Sequence, residues 1–420
     1  MLNTFDELES NVRYYCRRWP TVFSSAQGAH LVDEAGSEYL DFFAGAGALS
    51  YGHNNPVLVD VAINHLRSNK LLHSLDTFTQ EKRHFLETIE DVILRPRQLD
   101  MVVQTVGPTG ATDVEAALQL AHRLTGKRGV IGFQGGYHGM SLRAASISES
   151  MAPRAVVEHV GDFVALPFVE TVTETDLELL ERAMTSRVDG QGIGAIIIEP
   201  TQGEGGCRPF DPLYLAAVRQ MASAYGVIVI ADEIQAGVGR TGPFFSFEGT
   251  ALDPDIITVS KSISGLGLPM ALLLVRKSLD TWRPGEFSGT FRGNNLAFAT
   301  SATMMDHYWR DSAFEQNTLR HGAIVREALT EMADLYGNGT FKVQANGMLA
   351  GLNTFNTELS EAISMAAFRR KLIVEVCGRG DTIVKLLPTL IMTDDQLRDG
   401  LGRLHDAVAE VLADTASTVA

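Results

Sequence analysis

Two short β-branched runs constrain this chain more than any other feature. Val227-Ile228-Val229-Ile230-Ala231 leads into Asp232-Glu233-Ile234-Gln235, and Ile256-Ile257-Thr258-Val259 leads into Ser260-Lys261. Continuous apolar runs of this length, rich in Ile and Val, read as strands buried on both faces, which is the habit of parallel sheets. Each run delivers a polar group, Asp232 or Lys261, to its carboxyl end, where open α/β sheets collect their ligands. An acid and a lysine at two such tips can meet over one ligand.

Further runs at 100–105, 130–133, 195–199 and 270–276 alternate with helical patterns between about residues 60 and 300. A helix over 112–124 follows from Val114, Leu118, Ala121 and Leu124. The fold class is therefore α/β, a mostly parallel sheet with helices on both faces. Before it, alternation over 21–23 and 29–33, with a turn at Glu34-Ala35-Gly36 and then 39–42, reads as an antiparallel meander. A helix is expected to start near Pro56. After residue 300, helices over 302–309 and 319–335, strands near 348–352 and 383–387, and a last helix over 393–413 are expected. The expected division is a large unit over 61–300 and a smaller α/β unit built from both termini, 1–60 and 301–420.

The 420 residues carry 35 basic and 51 acidic side chains, a formal charge of −16, which argues against nucleic acid and anionic membrane as partners. Cys16, Cys207 and Cys377 have no paired spacing, so neither a disulfide framework nor a zinc site is expected. No basic-then-apolar leader and no apolar run of membrane length is visible, and a cytoplasmic enzyme is the expectation.

Of eight lysines, Lys261 alone sits at the tip of an apolar strand. Lost hydration there lowers an amine's pKa and makes it a nucleophile, although a lysine reaching solvent fits the position equally well. A buried carboxylate at Asp232 needs a cationic or hydrogen-bonding partner, and a protonated pyridine nitrogen is one. Pyridoxal 5′-phosphate uses such a pair, an acid at its nitrogen and a lysine at its aldehyde. Gln235 could then donate to the phenolic oxygen. Gly107-Pro108-Thr109-Gly110-Ala111-Thr112, between a strand and a helix, suits a phosphate. Phe133-Gln134-Gly135-Gly136-Tyr137-His138-Gly139 offers Tyr137 and His138 as a stacking platform.

These segments, with Gly52-His53-Asn54-Asn55-Pro56, Glu199-Pro200, Gly237-Val238-Gly239-Arg240-Thr241-Gly242 and Gly289-Thr290-Phe291, resemble the class III aminotransferases of the fold-type I pyridoxal-phosphate enzymes. They occur in family order over nearly the whole chain. Thr201-Gln202-Gly203-Glu204-Gly205-Gly206, Phe244-Phe245-Ser246-Phe247-Glu248, Ser262-Ile263-Ser264-Gly265-Leu266-Gly267-Leu268-Pro269 and Arg292-Gly293 resemble the diaminobutyrate-forming branch that opens ectoine synthesis.

The resemblance implies that Lys261 holds the cofactor as a Schiff base and shuttles protons. It implies that Asp232 binds the pyridine nitrogen, Gln235 the phenolic oxygen, and that Tyr137 stacks on the ring. Gly110, Ala111 and Thr112 would serve the phosphate, Thr290 would reach it from a second subunit of a homodimer or larger homo-oligomer, and His138 and Glu199 would line the cofactor site. Ala111 stands where relatives often carry Ser or Thr, and Lys385 where many carry arginine for the substrate carboxylate. Lys385 and Arg292 are the expected substrate residues, with Arg240 as a competitor. The implied reaction moves an amino group from L-glutamate to L-aspartate 4-semialdehyde. Alternatives are another ω-aminotransferase acting on ornithine, 4-aminobutyrate or a natural-product aldehyde, an aminomutase, or a silent scaffold. No metal is expected.

Overall fold

A computed structural model describes residues 3–151, 162–188, 190–337 and 339–419. Its centre is a sheet with strand order Met101–Gly107, Ala271–Arg276, Ile256–Val259, Ile228–Asp232, Gln191–Ile198, Gly129–Phe133, Phe163–Leu166. All neighbouring pairs on this path are parallel except those of Ala271–Arg276, which runs antiparallel to both its neighbours. Side chains alternate between the two faces of a strand, and the core divides accordingly. Ile196, Ile198, Val229, Ile257 and Leu274 pack into one cluster, while Ala195, Ile197, Ile230, Ile256 and Leu273 pack into another on the opposite face. Both faces are covered, which is why these strands read as unbroken apolar runs.

Register then places the polar tips. Asp232 lies opposite Thr258 across the parallel pair, three residues before Lys261. The helix Gly110–Thr125 starts directly after the strand Met101–Gly107. Thr109 caps it through Thr112 N–H, and Gly126 ends it in the left-handed region. Its buried stripe, Val114, Ala117, Leu118 and Ala121, covers the second of the two core faces.

The meander is present as Phe23–Gln27, His30–Asp33 and Glu38–Asp41, and Leu372–Ile373 from the far end of the chain extends it, with Leu40 paired to Leu372. The helix Pro56–Arg67 begins at the expected proline behind an Asn55 cap. A further antiparallel sheet has the order Lys342–Asn346, Leu349–Asn353, Ile383–Leu386, Glu375–Cys377. Its central register sets Lys385 beside Gly351 on one side and Glu375 on the other. The helices Ala313–Leu335, Thr357–Arg369 and Asp394–Val419 complete this part, contributing Val325, Leu329, Ile363, Ala367, Leu397 and Leu404 to a core shared with Leu40 and Phe42. Among the described residues no helix is long and apolar enough to cross a membrane.

Candidate active site

Asp232 is 2% exposed, and its carboxylate is held on both oxygens. Oδ2 lies 2.7 Å from His138 Nδ1, while Oδ1 accepts from Thr258 Oγ1 and from Ile234 N–H, each at 3.1 Å. A carboxylate offers about four acceptor positions, so one remains for a further donor such as a pyridinium N–H. His138 is equally buried. Burial alone would lower its pKa, but the bond to Asp232 and the charges of Asp232 and Glu199 raise it above the ordinary histidine value. Beside the expected ring face, the imidazole thus has a second task, orienting Asp232 through its edge. Tyr137, next to it in the chain, is half-buried.

Lys261 begins a single 3₁₀ turn with φ of +53°, a left-handed conformation unusual for a side-chain-bearing residue and found where a site over-determines the backbone. Its Nζ makes no hydrogen bond or ion pair among the described residues. Burial lowers its pKa to about 8, assisted by the Lys385 ammonium and opposed by Glu204, Glu375 and Asp232. An amine of that pKa keeps a far larger neutral fraction near physiological pH than an ordinary lysine, and the neutral form can attack a carbonyl.

The helix start supplies the anion cradle. Thr112 N–H is taken by Thr109, and the Thr109 and Thr112 hydroxyls bond each other at 2.8 Å, whereas the N–H groups of Gly110 and Ala111 find no acceptor among the described residues. A Cβ on Gly110 would lie 2.8 Å from Ile234 Cδ1, so any larger residue here would have to push Ile234 of the Asp232 loop aside. The Ala111 methyl faces Gly139, where any Cβ would come within 2.6 Å of it. Glu199 binds the two flanking loops together, accepting from Tyr137 N–H at 3.0 Å and from Gly203 N–H at 3.4 Å, and burial raises its pKa to about 7. A free lysine amine, a buried acid with one open acceptor position and two unpaired N–H groups at a helix start fit pyridoxal phosphate at its aldehyde, nitrogen and phosphate.

The expected substrate residues stand differently. Lys385 is fully buried, and its Nζ faces Glu204 Oε1 at 2.6 Å, Gln235 Oε1 at 3.0 Å and Glu375 Oε1 at 3.1 Å. Two of the three ammonium donors are hydrogen-bonded, to Glu204 and Gln235, and Glu375 adds an ion pair whose Oε1 accepts no hydrogen bond among the described residues. Arg292 is ion-paired with Asp76 and donates to Phe287 O at 3.1 Å, while its Nε has no hydrogen-bond partner among the described residues. Arg240 is a fully buried strut between Pro388 O, Met348 O and Ser50 Oγ. Gln235 is tied into the Lys385 cluster, with Nε2 donating to Glu204 at 3.0 Å. Thr290 is exposed, and its carbonyl accepts from His73 at 2.6 Å.

Glu204 and Glu375 were not singled out as site residues. The signal for Glu375 was a lone acid in Val374-Glu375-Val376-Cys377, an apolar run matched by the lone lysine of Val384-Lys385-Leu386. A buried charge in one strand demands its opposite in a neighbour.

Residues 15–408 match the family model described as Aminotransferase class-III. The chain is 44% identical to a diaminobutyrate–2-oxoglutarate transaminase of Nocardia farcinica, covering 97% of this chain and 94% of the relative. It is 43% identical to an uncharacterised aminotransferase of Sinorhizobium fredii, covering 97% and 92%. Among solved structures, an ornithine aminotransferase from Toxoplasma gondii superposes with a TM-score of 0.85 at 23% identity, covering 98% of this chain and 94% of that one. An aminotransferase from Bacillus anthracis superposes at 0.86 with 20% identity, covering 97% of each. These two likenesses concern the fold.

Proposed function

The chain belongs to the class III aminotransferases, which are pyridoxal-phosphate enzymes, and on that premise we propose that it exchanges an amino group between L-glutamate and L-aspartate 4-semialdehyde. The products are 2-oxoglutarate and L-2,4-diaminobutyrate. Similarity over nearly the full length to transaminases named for diaminobutyrate and 2-oxoglutarate supports both substrates, since removing the 4-amino group of diaminobutyrate yields aspartate 4-semialdehyde. The observation that carries the chemistry is a Lys261 amine, without a hydrogen bond or ion pair among the described residues, that feels the charge of the His138-oriented Asp232 carboxylate.

When bound, pyridoxal phosphate supplies an electron sink for the carbanion formed at the amino-bearing carbon. Asp232 would keep the ring nitrogen protonated through its open acceptor position, and His138 fixes the angle of that carboxylate. Lys261 would carry the cofactor's aldehyde and, once released, hold and return the proton at Nζ. Gly110 and Ala111 would anchor the phosphate, and Tyr137 would cover the ring.

A homodimer fits the surface. Leu71, Leu72, Phe78 and Phe291 are exposed, and Phe291 adjoins Thr290 and stacks edge-on with His73 at 5.6 Å. Thr290, whose side chain has no hydrogen bond among the described residues, would then serve the partner's phosphate site. Residues 61–300 form the cofactor-holding unit in this reading, and 1–60 with 301–420 close over it.

The test is a half-reaction screen. Enzyme loaded with glutamate is offered a panel of aldehydes, and return of the cofactor's aldehyde absorbance is timed. Fastest return with aspartate 4-semialdehyde is expected. Faster return with 4-aminobutyraldehyde-type compounds would replace the acceptor, and a Lys261→Ala protein that keeps the wild-type absorbance would overturn the site.

A further inference from the structure

The turn that carries Thr290 is stitched down on one side and open on the other. Residues 289–292 form a β-turn closed by Arg292 N–H to Gly289 O at 3.2 Å. Beyond the turn, Ser74 N–H donates to Gly293 O at 2.9 Å and Asn295 N–H to Leu72 O at 2.8 Å, with His73 and Asn294 as an antiparallel bridge. The two backbones run so close that a Cβ on Gly293 would lie 2.0 Å from Leu75 O. These bonds fix 293–295 and stop short of the tip, where Arg292 is tied to Asp76. Among the described residues, the one side chain bonded to Thr290 or Phe291 is His73, whose Nε2 lies 2.6 Å from Thr290 O. A carbonyl only accepts, so Nε2 carries the proton. The same ring meets Phe291 edge-on at 5.6 Å.

Carbonyl and N–H of one planar trans peptide point in opposite directions. A bond that draws Thr290 O toward His73 therefore turns Phe291 N–H away from it. Neither that N–H nor the Thr290 N–H finds an acceptor among the described residues, and both residues are exposed. Successive free N–H groups at a turn make an anion-binding concavity. We propose that His73 is a positioning residue for the cofactor: by holding the Thr290 carbonyl, it aims the Thr290 hydroxyl and the free N–H groups of the turn at the cofactor phosphate in the partner subunit. This rests on the reading above, in which Thr290 serves the partner's phosphate site. Gly289 and Gly293 flank the turn, so without His73 only the Asp76 pair and the closing bond hold its tip. What His73 contributes is preorganisation of donors that meet a phosphate, and a ligand without a phosphate should not register its loss.

The experiment compares pyridoxal 5′-phosphate with pyridoxal, which has the same ring and aldehyde and no phosphate. Equilibrium dialysis of the full chain in phosphate-free buffer gives both Kd values, and their ratio measures what the phosphate contributes. His73→Phe keeps a ring against Phe291 and removes the donor. It should lower the ratio by about three- to tenfold, the worth of one neutral hydrogen bond, with the Kd for pyridoxal unchanged. Thr290→Ala should also lower the ratio, and His73→Phe added to it should bring little further loss, because the two act as one unit. His73→Gln, which retains a donor, should stay near wild type. Equal weakening of both ligands by His73→Phe, losses that add in the double variant, or His73→Gln falling as far as His73→Phe would each overturn the proposal. If His73→Phe does not fold, His73→Leu takes its place under the same expectations. A ratio lowered by Thr290→Ala and not by His73→Phe removes His73 and leaves the reading of Thr290 standing. A ratio unmoved by either substitution would sink that reading itself.

Discussion

Replacing Lys385 by methionine keeps the aliphatic stem and deletes only the ammonium. Glu204 loses its 2.6 Å partner, Glu375 its 3.1 Å partner, and Gln235 Oε1 its 3.0 Å donor. Removing one member of a buried ion pair typically destabilises by about 3–5 kcal/mol, because the remaining charge stays buried. Glu375, 1% exposed, is the part of the cluster to which that range applies in full. Glu204 is partly exposed and contributes less. The penalty should depend on pH with a definite sign. Without Lys385 both carboxyls have folded-state pKa values above their unfolded ones, so the loss is largest above those values and shrinks as acid protonates them. Urea unfolding of Lys385→Met against wild type at pH 8 and pH 5.5 measures this. A loss of about 3–5 kcal/mol at pH 8 that falls toward pH 5.5 is expected, and adding Glu204→Gln and Glu375→Gln should recover most of it. A loss under about 1 kcal/mol at pH 8, or one that grows on acidification, would show that the three side chains are not one charge cluster.

His138→Leu leaves Asp232 Oδ2 without its buried donor, and loss of a hydrogen bond to a charged group is worth roughly 1.5–3 kcal/mol. Pyridoxal-phosphate affinity, read by equilibrium dialysis, should therefore fall by about tenfold to a hundredfold. An unchanged Kd would remove His138 from the site. Lys261 should capture pyridoxal phosphate with a rate that rises with pH to a midpoint near 8, as stopped-flow absorbance would record. A rate still climbing at pH 10 would mean an ordinary lysine. Asp113 is wholly buried, accepts from Val259 N–H at 2.9 Å and has no partner for Oδ1 among the described residues, and burial raises its pKa well above the usual value. A raised carboxyl disfavours the folded state as pH climbs through and beyond the unfolded pKa, so Asp113→Asn should gain stability relative to wild type between pH 4 and 7. A thermal-melt difference that is flat over this range would refute it. Gly110→Ala should weaken phosphate binding by displacing Ile234, and Ile234→Ala in the same chain should restore it. Failure of that rescue in a pyridoxal-phosphate titration would show that the clash is not the cause.

The central sheet was legible because burial on both faces leaves a plain record, apolar runs such as 227–231 and 256–259 ending in one polar residue each. The helix after Gly110 and the meander were legible through capping and turn chemistry. The direction of the Ala271–Arg276 strand was not, since an antiparallel strand buried on both faces has the same composition as a parallel one. In the site, Asp232 and Lys261 announced themselves by position. His138 did not reveal its role because a histidine between glycines reads the same whether it stacks or donates. Lys385 was visible as a charge in an apolar run. Its neighbours were hidden because strand register, which sets Glu375 opposite it, is a tertiary property that a one-residue slip would reverse.

That register also explains why a lysine is tolerable at Lys385. A lone buried ammonium would lose its proton or unfold the sheet. Here Glu375 neutralises it from a fixed strand, and Glu204 and Gln235 approach from the two loops that flank the cofactor site. The small antiparallel sheet thus delivers a charge to the pocket, and the loops of the large sheet complete its coordination. Burial works in opposite directions on the two lysines. At Lys385 it is outweighed by two adjacent carboxylates, and the ammonium is retained with its pKa raised. At Lys261 the same carboxylates act without direct contact, burial prevails, and the amine is left ready to react. The two lysines therefore differ in contact: Lys385 has ion pairs at 2.6 and 3.1 Å, and Lys261 has none among the described residues.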